Sequence, residues 1–360
     1  MIIKVYAWIP RSYVHIAEVI DKSVKGLIDY KIKESNNHNY ISFDVSEFEG
    51  YKNLSFVLDS DGLYSLSVKV PETNPEKSAK DFSAKAKKFL MDKIIKTCHR
   101  VTYAQIIEGI LPINYSTVVM SSKEHIVSGY NRAKLGSLIF YSKDNDYYMN
   151  DSFTYVSGSV TSGIEEALDY RAFGLIMSRF FFEMMNKMES YHNGTKEVIR
   201  LLEHEPESGL INNAYLNLDL VKKDASESWA KVEQGIDCFF RKKRLFDCTA
   251  NSFNKKIGND VLFDRINSDK EYIMSLWTLL INHLEHVDTA VEARVNYTNM
   301  NSQRANQWLG AINSGFIMAS IILGLFIVNS NLSIQSFIVL VLGWVGFYEL
   351  TSFLIMKRRS

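Results

Sequence analysis

The sequence is poor in the residues that mark several common classes of protein. It has three cysteines in 360 residues, Cys98, Cys238 and Cys248, and none belongs to a paired motif. This usage excludes a disulfide scaffold and fits a reducing compartment. A Gly-rich phosphate loop, an H-E-x-x-H motif and a G-x-S-x-G motif are also missing, so we expect no enzymatic activity. The formal net charge is zero, so direct nucleic-acid binding is not expected.

Charge is also missing from the C-terminal segment. Between residues 305 and 356 the one ionisable side chain is Glu349, although 23% of the chain is charged. Two apolar runs, residues 308–328 and residues 334–356, fall in this segment. About 20 apolar residues cross a hydrocarbon core of roughly 30 Å. The sequence therefore predicts two transmembrane helices over these runs, joined by an outer loop of residues 329–333.

The basic residues predict how these helices are oriented. The loop of residues 329–333 has no Lys or Arg, whereas the tail of residues 357–360 begins with Lys357, Arg358 and Arg359. Cytoplasmic segments carry the excess of Lys and Arg, so we expect the tail in the cytoplasm. Two crossings place the N-terminus there as well, and the expected location is the inner cell membrane.

A stalk helix is predicted to lead into the first span. Ser268-Asp269-Lys270-Glu271 has the pattern of a capping box, and no Pro or Gly follows until Gly310. Apolar residues then recur at spacings of three and four, which is typical of helices that pack together. They are Ile273, Leu276, Leu280, Leu284, Val287 and Val291, followed by Arg294. We expect residues 268–307 to form a stalk that packs against copies of itself.

Polar residues continue this pattern into the first span. Asn306, Asn313 and Ser320 lie seven residues apart, and an Asn facing lipid costs several kcal/mol, on the order of the loss of its hydrogen bonds. The favoured interpretation is a pore lined by Asn306, Leu309, Asn313, Phe316 and Ser320. The alternative is that Asn313 and the small residues around it hold helices together: Gly310, Ala311, Ser314 and Gly315.

The rest of the chain is predicted to be a cytoplasmic α/β domain of residues 1–160 and a helical region of residues 161–267. Strands are expected at residues 2–9, at residues 41–45, in a hairpin of residues 54–70, and at residues 117–120, 137–141 and 147–156. Helices are expected at residues 12–27 and from Ser78 onward. A second capping box at Ser162 predicts another helix, broken at Asn193-Gly194. The overall fold class is α+β.

Acidic residues near the stalk suggest a cation site. Asp264, Asp269, Glu285 and Asp288 could hold a divalent cation such as Mg²⁺ between subunits, because hard cations take carboxylate oxygens. A solvated helix flank is the alternative interpretation. No cofactor is otherwise expected, and no cluster in the first 265 residues marks a ligand site.

The layout resembles the CorA family of divalent-cation channels, most specifically over residues 268–360. CorA proteins are pentamers whose first span lines the pore and whose outer loop carries a Gly-Met-Asn signature. The matching tripeptide here is Ile327-Val328-Asn329, in which only the Asn agrees. The resemblance implies a pentamer, an Asn329 ring at the outer mouth, and a basic cytoplasmic collar of Lys357, Arg358 and Arg359.

The missing signature bears on function, since Ile and Val lack the backbone freedom of Gly. CorA-like proteins without it include antiviral membrane effectors, some linked to type III CRISPR systems, in which the cytoplasmic domain senses a nucleotide messenger such as an S-adenosylmethionine–AMP conjugate. The resemblance favours a ligand-gated channel of this kind in the lipid bilayer. Two alternatives stay open: a Mg²⁺, Co²⁺ or Ni²⁺ transporter, and a non-conducting, membrane-anchored binding protein.

Overall fold

The computed structural model describes most of the chain. The described residues are 1–9, 32–34, 40–59, 62–71, 75–96, 100–109, 111–121, 137–141, 145–149, 153–158, 160–204, 208–248, 252–330, 338–339, 341–343 and 345–347. Contacts divide it into two units. Unit 1 comprises Met1–His192 and Lys222–Leu280, and unit 2 comprises Asn193–Val221 and Ile281–Ser360. The fold is mixed α+β, as predicted, with one sheet in unit 1.

The sheet has nine strands in the order β2-β3-β4-β5-β1-β6-β9-β8-β7. They are β1 (Ile2–Trp8), β2 (Ile32–Glu34), β3 (Tyr40–Phe48), β4 (Tyr51–Asp59), β5 (Leu63–Lys69), β6 (Tyr115–Ser121), β7 (Ser137–Tyr141), β8 (Asn145–Met149) and β9 (Phe153–Gly158). Strands β6 and β9 pair in parallel, and the other described neighbours are antiparallel. The α/β layering expected for residues 1–160 is therefore corrected to a largely antiparallel sheet.

Most predicted strands are confirmed, including the hairpin of β4 and β5. The single strand expected over residues 147–156 is wrong, because β8 and β9 are separate strands that pair antiparallel. Aromatic and β-branched residues on both sides of the connection gave one continuous strand pattern. The helix predicted at residues 12–27 lies outside the described residues.

Six helices are described: α1 (Pro75–Phe89), α2 (Arg100–Ile107), α3 (Ser162–His204), α4 (Ser208–Cys248), α5 (Ser252–Lys256) and α6 (Asn259–Ser330). A π-helical segment, Leu90–Ile95, continues α1. Leu90 and Ile95 are five residues apart and both are fully buried, which suits the i to i+5 repeat of a π-helix.

One face of the sheet packs on α1. The alternating side chains Tyr64, Leu66 and Val68 of β5 join Phe82 and Phe89 of α1 in one buried cluster. Alternation puts every second residue of a strand on the same face, so the serines between them face the other way. Each fully buried side chain of this size contributes about 1.5–3 kcal/mol of hydrophobic stabilisation, and this cluster is the core of the sheet.

The other face of the sheet packs on α3. The ring of Trp8 meets that of Phe180 edge-on, with centroids 4.9 Å apart. Behind Phe180, an aromatic core joins three helices: Phe181 of α3 lies 6.4 Å from Phe239 of α4, which stacks 5.7 Å from Phe263 of α6. The aromatic side chains of α3 are therefore core packing, although Phe182 stays 56% exposed.

Two predicted helix boundaries are wrong. Helix α3 begins at Ser162 as predicted but runs through Asn193 and Gly194 to His204. Thr195 and Val198 directly after the expected break are buried, and such tertiary packing outweighs the helix cost of about 1 kcal/mol for a Gly.

Helix α6 begins at Asn259, not at Ser268. The buried side chain of Asn259 donates from Nδ2 to the carbonyl of Ala167 and to Oδ1 of Asn254, each at 2.9 Å. The Ser268 hydroxyl instead donates to the carbonyl of Asp264 at 3.2 Å, which is the bond of a residue inside a helix. The box motif at Ser268 is therefore not a helix cap.

Candidate functional site

The apolar stripe of α6 is buried within a single chain. Ile273 and Leu280 are fully buried in unit 1, and Leu284, Val287 and Val291 are at most 5% exposed in unit 2. These five residues are therefore covered by the chain itself, whereas Leu276 and Arg294 of the predicted stripe are partly exposed. The packing of the stalk against copies of the chain stays a prediction. Periodicity identifies a face that must be covered, but it does not show whether the same chain or another covers it.

The predicted pore residues fall on two neighbouring faces of α6. Leu309 and Phe316 are partly covered, whereas Asn306, Asn313 and Ser320 are exposed. Ser320 donates its hydroxyl to the carbonyl of Phe316 at 2.9 Å, a bond that satisfies this group within the helix. The amides of Asn306 and Asn313 are thus the exposed polar groups of this face, and we call Asn306, Asn313 and Ser320 the polar line.

Three more exposed polar residues precede the polar line along α6. At the same spacing of seven residues, Glu285, Glu292 and Asn299 precede Asn306, and all three are exposed in unit 2. Along this side of α6, from Glu285 to Ser320, the side chains are therefore first carboxylates, then amides and finally a hydroxyl. In the sequence this pattern is a polar residue at every seventh position from Glu285 to Ser320.

Around the polar line, α6 exposes large apolar side chains. Among the described residues, α6 is the one helix that is long and apolar enough to cross a membrane, and none of its most apolar stretch is buried. The exposed residues include Trp308, Ile317, Met318, Ile321, Ile322, Leu325 and Val328. A soluble protein rarely exposes so large a continuous apolar surface, and lipid covers such a surface in a membrane protein.

The remaining C-terminal predictions are described only in part. Asn329 lies in the last turn of α6, which ends at Ser330, so the outer loop begins later than the predicted residue 329. Within the second predicted span, residues 338–339, 341–343 and 345–347 are helical and exposed. Most of that span and the collar residues Lys357, Arg358 and Arg359 lie outside the described part of the chain.

The predicted acidic ligands lie along α6. Asp264 and Glu285 are exposed, while Asp269 and Asp288 are partly buried. Burial raises the pKa of Asp269, and the nearby Arg265 partly opposes this effect. Within one chain, no three His, Cys, Asp or Glu side chains of the described residues come together to hold a metal ion. A Mg²⁺ site shared between subunits stays a prediction.

Unit 1 contains a charged cluster that the sequence did not reveal. Lys4 of β1 pairs with Glu165 and, at 3.6 Å, with Asp169, both from the first turns of α3. The hydroxyl of the buried Tyr6 donates to Asp169. Burial is the largest cause that raises the pKa of Asp169. Alternation on β1 could have shown that Lys4 and Tyr6 face the same side, but not that α3 covers them.

A second cluster in unit 1 is rich in cations. Lys87 of α1 lies with its Nζ 5.3 Å from the centre of the Tyr115 ring, and Arg179 of α3 donates to the Tyr115 carbonyl at 3.4 Å. Glu183 is half-buried near Arg179 and Lys187, and burial is the main cause that raises its pKa. We call Lys87, Arg179 and Lys187 the cationic cluster.

The chain matches no protein-family model, no curated protein and no solved structure. The resemblance to CorA therefore stays a prediction from the sequence, as do the pentamer and the pore. The function proposed below depends on the residues of α6 and of unit 1.

Proposed function

We propose that the protein is an oligomeric membrane channel that opens when its N-terminal part binds a small ligand. The observation that carries this proposal is the polar line of Asn306, Asn313 and Ser320, which runs through the most apolar part of α6 and is exposed. It is supported by the length of α6, Asn259–Ser330, which contains that apolar part.

The energetics of the polar line favour a water-filled path. An Asn amide in contact with lipid loses its hydrogen bonds at a cost of several kcal/mol, on the order given by transfer to an apolar solvent. Asn306 and Asn313 must therefore face water or another protein surface once α6 is in a bilayer. One helix cannot enclose water, so copies of α6 arranged around an axis are required, and the resemblance to CorA suggests five.

A spacing of seven residues suits such an arrangement. It keeps one line of side chains directed towards the axis when helices wrap around each other in a left-handed sense. The buried stripe of Ile273 and Val291 is already covered within the chain, which leaves the polar line free to face the axis. Helix contact through Gly310 and Ala311 is the competing role for this face.

The biological role that we propose is antiviral. The proposed ligand is a nucleotide messenger such as an S-adenosylmethionine–AMP conjugate, and the channel, in the inner cell membrane with both termini in the cytoplasm, would permeabilise the membrane of an infected cell. The departure from Gly-Met-Asn at Ile327-Val328-Asn329 supports this over selective Mg²⁺ uptake, because the backbone freedom of Gly is lost.

Ion flux from liposomes that contain the purified full-length protein tests the proposal. Mg²⁺ and K⁺ are measured separately, before and after addition of the S-adenosylmethionine–AMP conjugate or AMP. We expect flux only after a nucleotide is added. Steady Mg²⁺ flux without any nucleotide would instead identify a divalent-cation transporter. No flux under either condition, from protein that is folded and inserted, would identify a membrane-anchored binding protein.

A further inference from the structure

The cationic cluster of unit 1 brings positive charges from two helices to the start of β6. The Lys87 ammonium lies over the ring of Tyr115, and the Arg179 guanidinium reaches the carbonyl of the same residue. Tyr115 is the first residue of β6, a strand that pairs with both β1 and β9 in the middle of the sheet. The two cations thus converge on the end of a central strand.

Among the residues that the structure describes, neither Lys87 nor Arg179 forms an ion pair within 4 Å. Burial lowers the pKa of Lys87, and the charge of Arg179 lowers it further. Two like charges that disfavour each other in this way are stabilised when an anion enters between them.

Three carboxylates act on the cluster from its edges. Glu183 attracts Arg179 and Lys187, Asp224 acts on Lys187, and Asp92 acts on the hydroxyl of Tyr115. Lys187 also donates to the carbonyl of Gly109. Glu183 thus acts on both Arg179 and Lys187, whereas the one charge that acts on Lys87 among the described residues is that of Arg179. Lys87 is therefore the cation of the cluster whose charge is least compensated.

Asn114 supplies a further donor beside the two cations. It directly precedes Tyr115, and its side chain is only 8% exposed. Its amide lowers the pKa of the nearby Glu183, yet among the described residues its Nδ2 makes no hydrogen bond of acceptable length and angle. An amide nitrogen carries two N–H donors, so even with one turned to the Glu183 carboxylate the other is available to an acceptor from outside the chain.

We infer that Lys87, Arg179 and Asn114 bind the phosphate group of a small ligand. All three offer hydrogen-bond donors: an ammonium, a planar guanidinium and an amide nitrogen. A phosphate oxyanion is acceptor-only and forms short, charge-assisted bonds with such groups. This inference rests on the proposed ligand-gated function, and it names the chemical group by which the ligand is recognised.

The position of the site explains how a ligand would act on unit 1. Lys87 belongs to α1, Asn114 precedes β6, and Arg179 belongs to α3. A phosphate bound by all three would join the helices on both faces of the sheet to the same strand. Its binding energy would then favour the conformation in which these three elements are closest.

Isothermal titration of the full-length protein in detergent micelles, at low salt and neutral pH, tests the inference with AMP and inorganic phosphate as probes. Asn114→Asp keeps the size of the side chain and replaces its donor by a carboxylate. We expect this variant and Lys87→Gln to weaken binding of both probes about ten-fold or more, as loss of a charge-assisted bond does. Lys88→Gln is the matched control, because Lys88 is the next residue on α1 and pairs with Glu49 at 3.4 Å instead. Its affinity should match that of the wild type.

Several results would overturn the inference. If neither AMP nor inorganic phosphate binds at about 10 mM, a concentration at which even weak sites fill, the inference is wrong. Equal losses in Lys88→Gln and Lys87→Gln would show attraction to diffuse charge and not a site. Binding by Arg179→Gln is interpreted only if a thermal unfolding curve shows that this variant is folded, because Arg179 also donates to the Tyr115 carbonyl. If it does not fold, Lys87→Gln and Asn114→Asp alone test the inference. If AMP binding depends on these residues but no ion flux is seen, the phosphate site is correct and the channel proposal is wrong. If AMP opens the channel equally in all the variants, the channel proposal is correct and the phosphate site is wrong.

Discussion

The indole rings of Trp229 and Trp277 stack face to face, with centroids 4.7 Å apart and planes 3° from parallel. Trp229 also donates from Nε1 to the carboxylate of Glu233 at 2.8 Å. The pair joins α4 to α6 within unit 1, where both rings are only partly exposed. It fixes α6 before that helix reaches its apolar part.

We expect Trp229→Leu and Trp277→Leu each to lower the free energy of unfolding, and to do so non-additively. Aromatic pairs contribute about 0.5–1.5 kcal/mol beyond the area they bury, and a double-mutant cycle isolates this amount. The measurement is chemical unfolding of the full chain in detergent. Trp308→Leu is the control, because Trp308 is 69% exposed. Additive effects of Trp229→Leu and Trp277→Leu would show that the stacking contributes nothing.

Gly235 is required by the close approach of α4 to the sheet and α3. A Cβ at this position would lie 2.7 Å from Cε1 of Phe180 and 3.4 Å from the Trp8 ring. Phe180 is itself buried, so it has no free space into which to move. We expect Gly235→Ala to destabilise the protein by about 1–3 kcal/mol through overpacking, despite the better helix propensity of Ala.

Gly194→Ala is the matched control for this prediction. Gly194 also lies inside a helix, but a Cβ there would meet only Cγ2 of Val221, at the ordinary contact distance of 3.8 Å. We expect this variant to be stabilised by up to about 1 kcal/mol, because Ala favours the helix. Thermal unfolding of both variants checks the pair, and a shift of the same sign in both would contradict the packing argument.

The stability of unit 1 should fall with rising pH because of Asp169. Burial is the largest cause that raises the pKa of Asp169 above its ordinary value, and the Lys4 charge and the Tyr6 hydroxyl only partly offset it. The folded state therefore holds the Asp169 proton more tightly than the unfolded state. The resulting stability is fully present below the unfolded pKa of about 3.9 and is lost as pH rises through the folded pKa.

Asp169→Asn removes this titration and keeps an oxygen that can accept from Tyr6. We expect the melting temperature of Asp169→Asn to rise relative to that of the wild type as pH increases from about 3.5, near the unfolded pKa, to about 7. Glu166→Gln, an exposed residue of the same helix turn, should leave the pH profile of the wild type intact. A difference that is constant with pH would show that the pKa of Asp169 is the same in the folded and the unfolded state.

Local patterns in the sequence predicted the strands and the existence of the long helix, because alternation and helical periodicity are written in neighbouring residues. They did not predict which partner covers a face. The Ile273 stripe has the pattern of an oligomer seam, yet the chain itself buries it. The sequence also did not show the start of α6, because the buried Asn259 there donates its side-chain amide to the carbonyl of Ala167, a residue far away in the sequence.

The clusters in unit 1 were hidden for the same reason. Lys4 and Asp169 are brought together by the packing of α3 on β1, and Lys87 and Arg179 meet only because α1 and α3 reach the same strand end. The two residues of each pair are far apart in the sequence, so no local sequence pattern could predict their contact. The polar line on α6 could be predicted because Asn306, Asn313 and Ser320 belong to one continuous helix.

The polar line gives the most direct test of the channel. Asn313→Leu replaces an exposed amide in the apolar part of α6 by a side chain of similar length that repels water. If Asn313 lines a pore, the change creates a ring of apolar side chains, and such constrictions close pores by dewetting. We expect ligand-dependent flux from liposomes to fall about ten-fold or more, a change of about 1.4 kcal/mol or more in the barrier.

Two further variants make this result specific. Asn313→Ser keeps a polar group and should retain flux, whereas Ile321→Leu changes a side chain that is 55% exposed and apolar, and should have no effect. Unchanged flux in Asn313→Leu would place Asn313 at a contact between helices and away from water. That contact would require small neighbours and the Asn313 amide, so Gly310→Leu and Asn313→Leu would then both weaken assembly of the oligomer, and the polar line would be a packing surface.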